Sequence, residues 1–328
     1  MKKIWLLLVV PVIFLSTCKK EKSDNGDYLE YLSDKGVFYV TFEDDIMWVG
    51  SYIEKNKENI DLRYISSFQL VKVENDKYSC RENIPEIYPF KMKDGNLYGL
   101  DSKYIYEIND INSFDNILKD DTLNFYYADG EDKNNFWFCS QSGIGYKKND
   151  KTSLIFKTDI TKLELIPLLY YDENKILWAF SVTLMSNSLL KITDNSTQEI
   201  SYEDIGLDSL DLIKKITSDQ NNDLIILIYD YSTGDNKLLR YINNSWIISD
   251  LPYNKTGLCS LKKDENNVIW YCNTYNIQSV KSLYYLYNDE WKNIEVDTDT
   301  ATVLCVQVHN DKLYVGTNNG LIIQDFTY

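Results

Sequence analysis

Seven times along this chain an acidic or Asn-rich turn leads into a hydrophobic run with one large residue, usually aromatic, at its centre. Asp264-Glu265-Asn266-Asn267-Val268-Ile269-Trp270 is the clearest copy. The centres fall at Trp48, Tyr98, Trp137, Trp178, Ile225, Trp270 and Tyr314, with gaps of 50, 39, 41, 47, 45 and 44 residues. A period of about 40–45 residues in strand-forming sequence belongs to propeller blades of four strands each. Helical repeats of similar length need long stretches of 3.6-residue periodicity, and the chain has almost none. The fifth copy is the weakest, because Ile225 stands in the aromatic position.

Each copy reads as a blade. In the sixth, strands are expected over residues 256–262, 268–273, 283–287 and 291–296. The turn at 264–267 is rich in Asp and Asn, which bond their own backbone and tolerate turn conformations. In the fifth, strands are expected over 224–229, 237–242 and 245–249. Both copies end alike, on Asn243-Asn244-Ser245-Trp246 and Asn288-Asp289-Glu290-Trp291. Asn25-Gly26-Asp27-Tyr28-Leu29-Glu30-Tyr31 reads as the same outer strand with no blade before it. The last copy supplies three strands, 302–308, 313–316 and 320–325, before Tyr328. The expected fold is all-β: a seven-bladed β-propeller of four-stranded antiparallel blades. Tyr28–Leu32 is expected to complete the last blade and close the ring, which removes open sheet edges. The anchors lie mid-strand, so Trp48, Trp137, Trp178 and Trp270 are expected in the packing between blades.

Leu313-Tyr314-Val315-Gly316-Thr317-Asn318-Asn319-Gly320-Leu321-Ile322 resembles the two-component-regulator propeller repeat. That repeat reads as an acidic turn, Ile/Leu-Trp-hydrophobic-Gly-Thr, two variable residues and Gly-Leu. Phe136-Trp137-Phe138-Cys139-Ser140-Gln141-Ser142-Gly143-Ile144 follows it less closely, and Ile46-Met47-Trp48-Val49-Gly50-Ser51 only in its first half. The resemblance implies a sensor-type propeller. In the best-known members such propellers form the periplasmic half of a membrane-spanning histidine kinase. Here no kinase or DNA-binding region follows, so the expectation is a propeller that acts without a fused kinase.

The first residues carry the most specific functional signal. Lys2 and Lys3 precede an apolar stretch over 4–14 that is too short to span a bilayer and reads as a signal peptide. It ends in Leu15-Ser16-Thr17-Cys18, which resembles a bacterial lipobox, with Thr17 in place of the usual Gly, Ala or Ser. The resemblance implies cleavage before Cys18 and acylation of its thiol and new amino terminus. Several acyl chains anchor stably where one alone is marginal. The expected organisation is therefore a lipoprotein signal peptide over 1–17, a disordered tether over 18–27 and the propeller over 28–328. The expectation is a lipid-anchored monomer of the bacterial cell envelope, facing the periplasm or the exterior. The net charge is −16, and the leader carries two lysines and no acid, so the mature chain is more negative still. Such a chain repels nucleic acid and anionic lipid.

Five cysteines follow Cys18, an odd number, which excludes a complete intrachain disulfide set. A hairpin centred between Glu265 and Asn266 would set Cys259 opposite Cys272, and Ala128 opposite Cys139 in an earlier blade. Cys259 and Cys272 are then either a disulfide, possible in an oxidising compartment, or two small side chains packed between blades. No Cys-x-x-Cys pair exists, so no zinc site is expected. Asp219-x-Asn221-x-Asp223 begins like a calcium loop, but Leu224 stands where Gly is needed and Asp230 where Glu closes the loop. His309, the only histidine, is expected in a turn, and no catalytic residue, metal or cofactor is assigned.

Two function classes remain open, with a third behind them. The first is a binding module presenting loops to a glycan, peptide or protein. Its longest connections, 52–61, 229–236 and 273–281, carry Tyr52, Tyr229, Tyr231 and Tyr275, aromatics able to stack on sugars or pack on a partner. The second is a propeller lyase or hydrolase with acids at the channel mouth. The third is a scaffold subunit of an envelope complex.

Overall fold

A strand covered on both faces must be apolar on both, because its side chains alternate between faces. Leu224–Tyr229 (LIILIY) and Leu177–Val182 (LWAFSV) are such strands, each buried over its first five residues. In the computed structural model of the chain these are the second strands of blades. It describes residues 22–24, 28–54, 65–84, 87–120, 124–159, 165–183, 187–193, 196–252, 259–264, 266–273, 282–296 and 301–328.

Seven antiparallel blades on a four-strand plan follow one another over 36–84, 88–119, 125–157, 165–201, 212–249, 259–295 and 303–325. Within each, strand order is chain order, so every blade is a meander whose first strand lies innermost. Seven apolar clusters occupy the seven junctions between successive blades, including that of the seventh with the first. Each anchor of the repeat packs into the junction with the following blade. Trp48 meets blade 2, Tyr98 blade 3, Trp137 blade 4, Trp178 blade 5, Ile225 blade 6 and Trp270 blade 7. Tyr314 of blade 7 meets blade 1, 4.7 Å from the Phe42 ring between centroids. One repeated residue thus builds the ring and closes it.

Strand ends agree closely with expectation: Leu224–Tyr229, Ser245–Ser249 and Gly320–Asp325 are as read, and the others differ by one to three residues. The closing element differs in kind. Tyr28–Leu32 is a short helix, and the last blade's sheet contains three strands. The apolar residues at 28, 29, 31 and 32 follow helical spacing, where strand alternation would split them between two faces. Ser33 Oγ donates to Glu30 O at 2.8 Å, and Lys35 Nζ donates to Tyr31 O, which satisfies carbonyls at the helix end. Leu32 is fully buried in the junction of blades 7 and 1. Lys22–Asp24, expected in the tether, instead pairs with Lys77–Ile84 as an extra outer strand of blade 1. Residues 1–21, with Cys18, lie outside the described residues.

The cysteine register is also corrected. Cys259 pairs across from Asn273 and Cys272 from Ser260, while Cys139 faces Tyr127 and Ala128 faces Phe138. The loop between Asp264 and Val268 holds three residues, and Asn267 is left-handed at φ 60°. An odd loop shifts the expected register by one, so the two cysteines are not directly across from one another.

Candidate functional site: the axial channel and its rim

The backbone register assigns a ring of inner-strand positions. Directly across from the seven anchors stand Thr41, Phe90, Asp129, Tyr170, Thr217, Lys262 and Gln307. Seven similar blades put these residues at one level around the axis, and six are polar. Side chains from distant blades sense one another there. Lys262 of blade 6 feels Tyr127 of blade 3, and Lys215 of blade 5 faces Asp129 and the Tyr127 ring, at 5.8 Å.

Lys215, Lys262 and Lys263 form the centre of this group, and each keeps partial contact with solvent. Burial pushes all three ammonium groups below the usual lysine value, and Lys215 pushes Lys262 further. Lys263 Nζ donates to Ser218 Oγ at 3.2 Å and Tyr170 Oη at 3.4 Å, and these two hydroxyls share a bond of 2.5 Å. Asp129 accepts from the N–H of Tyr171 at 2.8 Å and of Gly130 at 2.9 Å. Burial nonetheless raises its carboxyl to about 6. Lys93, nearby, is occupied by Glu173 at 3.2 Å and by Asp172 O at 2.5 Å.

At the end where the inner strands begin, the channel opens onto a rim with exposed apolar residues. Tyr88 and Tyr126 stand at the starts of the inner strands of blades 2 and 3, 44% and 43% exposed. Leu210, Leu212 and Tyr231 project from blade 5, with Tyr231 62% exposed. Tyr231 stands in a hydrogen-bonded loop. Its N–H donates to buried Asp211 at 3.3 Å, and its ring meets Tyr229 edge-on at 5.7 Å. Asp230 accepts from Ser232 and Thr233 N–H and pairs with Lys237 at 2.6 Å, which together hold its carboxyl well below the ordinary range.

Of the four tyrosines assigned to a site, the structure therefore joins two. Tyr229 is the last residue of the strand Leu224–Tyr229, against the expectation of a loop, and Tyr231 stands in the loop that follows it. Tyr52 is buried in the strand Ile46–Glu54, against the expectation of a loop. Its ring fills the space left by Gly36 directly across, where a Cβ would lie 2.1 Å from it. Tyr275 and the side chain of Cys259 lie outside the described residues. His309 ends a strand and does not lie in a turn; its ring stacks on Phe42 at 4.0 Å. Asp219 of the calcium-like segment bonds the N–H groups of Asn221 and Asp223 and pairs with Arg240 at 2.7 Å. Among the described residues no three His, Cys, Asp or Glu side chains converge as a metal set. The lysines were missed by sequence reading. For Lys262 the signal was present: once the anchor Trp270 is known, the residue across from it stands two positions before the turn acid Asp264.

No family model and no curated protein matches the chain. Solved structures do. Virginiamycin B lyase from Staphylococcus aureus aligns over 94% of this chain and 99% of its own, with a TM-score of 0.62 and 13% identity. YCF48 bound to D1 peptide aligns over 90% and 95%, with a TM-score of 0.58 and 9% identity. The extracellular domain of a putative one-component system from B. thetaiotaomicron aligns over 88% of this chain and 45% of that chain, with a TM-score of 0.55 and 12% identity. At these identities the likeness is one of fold.

Proposed function

We propose that this propeller is an extracytoplasmic binding module, anchored through acylated Cys18, that engages a glycan at the rim where the inner strands begin. The observation that carries this reading is Tyr231, 62% exposed and with its backbone bonded to Asp211, together with Tyr88 and Tyr126 on the same rim around a polar opening. Aromatic faces pack on the C–H faces of sugars, and polar groups beneath take the hydroxyls. The solved structures of like fold include the extracellular domain of a putative one-component system, which favours an extracytoplasmic setting, and a peptide-bound protein, which keeps a peptide partner as the competing reading.

Binding of the Cys18→Ser chain to an array of bacterial and host oligosaccharides tests the site. Tyr231→Ala and Tyr126→Ala are expected to weaken a bound glycan by about tenfold each, the loss of about 1.4 kcal/mol of stacking, at unchanged melting temperature. Absence of any glycan signal, with Tyr231-dependent capture of a peptide instead, replaces this reading by the peptide one. Metabolic labelling with an alkynyl palmitate tests the anchor: label lost in Cys18→Ser supports it, and an unlabelled parent chain removes it.

A further inference from the structure

Five of the buried or partly buried cations of this molecule are paired with acids. Lys35, Lys72, Lys93, Lys237 and Arg240 each lie within 3.2 Å of a carboxylate. The channel lysines are not, and they stand together on two adjacent inner strands. Among the described residues no carboxylate lies within ion-pair distance of Lys215, Lys262 or Lys263, in a chain with 50 acidic residues. Enclosed like charges without a counter-ion are costly, because the low local dielectric strengthens their repulsion. Lys262 and Lys263 on one inner strand and Lys215 on the neighbouring one line the channel without a paired carboxylate, a structure in need of an anion.

We infer that the axial channel holds a binding site for a small dianion, gripped by the ammonium groups of Lys215, Lys262 and Lys263. The count of charges sets the class. Three ammonium groups face one carboxylate, Asp129, leaving a surplus of two; Glu173 and Asp219, the other acids near Lys263, are engaged by Lys93 and Arg240. Two anionic oxygen-bearing groups, or one phosphate monoester, neutralise that surplus. Neutral donors stand ready beside the charges. The hydroxyls of Tyr170 and Ser218 are already oriented by Lys263, and the Tyr127 phenol lies between Lys215 and Lys262. Charge-assisted bonds to such donors are the strong ones in a partly dry site. Asp129, fixed by two backbone N–H groups, faces the same space and rejects a third negative charge. The acidic turns at the far end of the channel, with Asp172, Asp219 and Asp264, disfavour anion entry there, so access runs from the rim. The site is separate from the rim tyrosines and stands without a glycan there.

The test is thermal denaturation and calorimetry of the full chain with inorganic phosphate and with succinate, at constant ionic strength against chloride. A saturable rise in melting temperature is expected with at least one dianion, about 2 °C for each tenfold increase above Kd. Tighter binding of phosphate identifies a phosphoryl ligand, and tighter binding of succinate a dicarboxylate. Lys215→Met and Lys262→Met are each expected to weaken binding by about tenfold or more. Each is also expected to raise the melting temperature of the anion-free protein, because an uncompensated charge has gone. Lys262→Gln serves if the methionine variant does not fold. Three results overturn the inference: no dianion acts beyond chloride, binding survives Lys262→Met unchanged, or the lysine variants melt lower without anion.

Discussion

At the head of blades 4 and 6 one carboxylate organises the whole turn. Asp172 accepts the N–H groups of Asn174 and Ile176 and the indole of Trp178, all at 2.9 Å. Asp264 does the same for Asn266, Val268 and Trp270, at 2.9, 3.0 and 2.6 Å, and also takes the hydroxyl of Tyr328. The repeated phrase in the sequence is therefore a physical unit: an acid six residues before a Trp ties turn to anchor. Blade 5 keeps the acid, Asp219, but Ile225 has no N–H to give. Arg240, directly across from Ile225, supplies the donor instead. Asp264→Ala strands a buried indole and two backbone donors, each worth about 1–3 kcal/mol when unpaired. A loss of at least about 3 kcal/mol in urea unfolding is expected, with Asp264→Asn milder. An unchanged midpoint for the alanine variant sinks this account of the phrase. Lys262 gives a second residue-level test. Its folded pKa is depressed by burial and by Lys215, so the folded state binds fewer protons than the unfolded chain below 10.5. Stability is then penalised at neutral pH and recovers as pH rises towards 10. Melting curves across that window should show parent and Lys262→Met converging with rising pH; parallel curves count against a charged Lys262.

Hairpins were the most legible elements, because turn chemistry is local. Asn243-Asn244, Asn288-Asp289 and Asn310-Asp311 all have both residues at positive φ, the primed turn that matches the twist of a hairpin. Their flanking strands could be read to within a residue or so for that reason. Register was less legible. The turn after Asp264 holds an odd number of loop residues with Asn267 left-handed, and the conformation of one residue decides which side chains share a face. The site suffered most from this. Which of the adjacent Lys262 and Lys263 stands directly across from Trp270 cannot be read until the register is known. Tyr52 was misread for a related reason: its strand continues to Glu54 and lays the ring over Gly36, a packing relation between strands that no local pattern encodes. Tyr231 was read correctly as a loop residue, because Asp230, Gly234 and Asp235 spell a tight connection. What local sequence could not supply was that buried Asp211, twenty residues earlier, fixes its backbone.

The ring as a whole depends on a junction with no covalent link across it. Six junctions join blades that are consecutive in the chain, so connections of 3 to 10 residues hold them together. The seventh brings residues 36–43 against 303–325 and must succeed by packing alone. The helix Tyr28–Leu32 reinforces it. Leu32 is fully buried, Tyr31 stacks on Tyr78 at 4.6 Å and bonds Gln69 at 3.1 Å, and Gly320 gives the chain room, with a Cβ there only 3.2 Å from Leu32 O. A latch of this kind stabilises through side-chain burial, whereas a closing strand would act through a ladder of backbone bonds, and the two make different predictions. Leu32→Ala is expected to cost about 2–5 kcal/mol, as for other buried leucines, and to lower the melting temperature by about 4–10 °C. Under the strand account a single side chain at a sheet edge would matter far less. Hydrogen exchange should show the extra opening of Leu32→Ala in the inner strand of blade 1 and the strands of blade 7 before any effect in blades 3 to 5, because the uncovered junction is the place where the ring can part without unfolding a blade. Removal of residues 24–33 should reproduce and exceed the point variant. If the truncated and parent chains melt together, the helix is an ornament and the junction of Phe42, Cys305 and Tyr314 closes the ring without it.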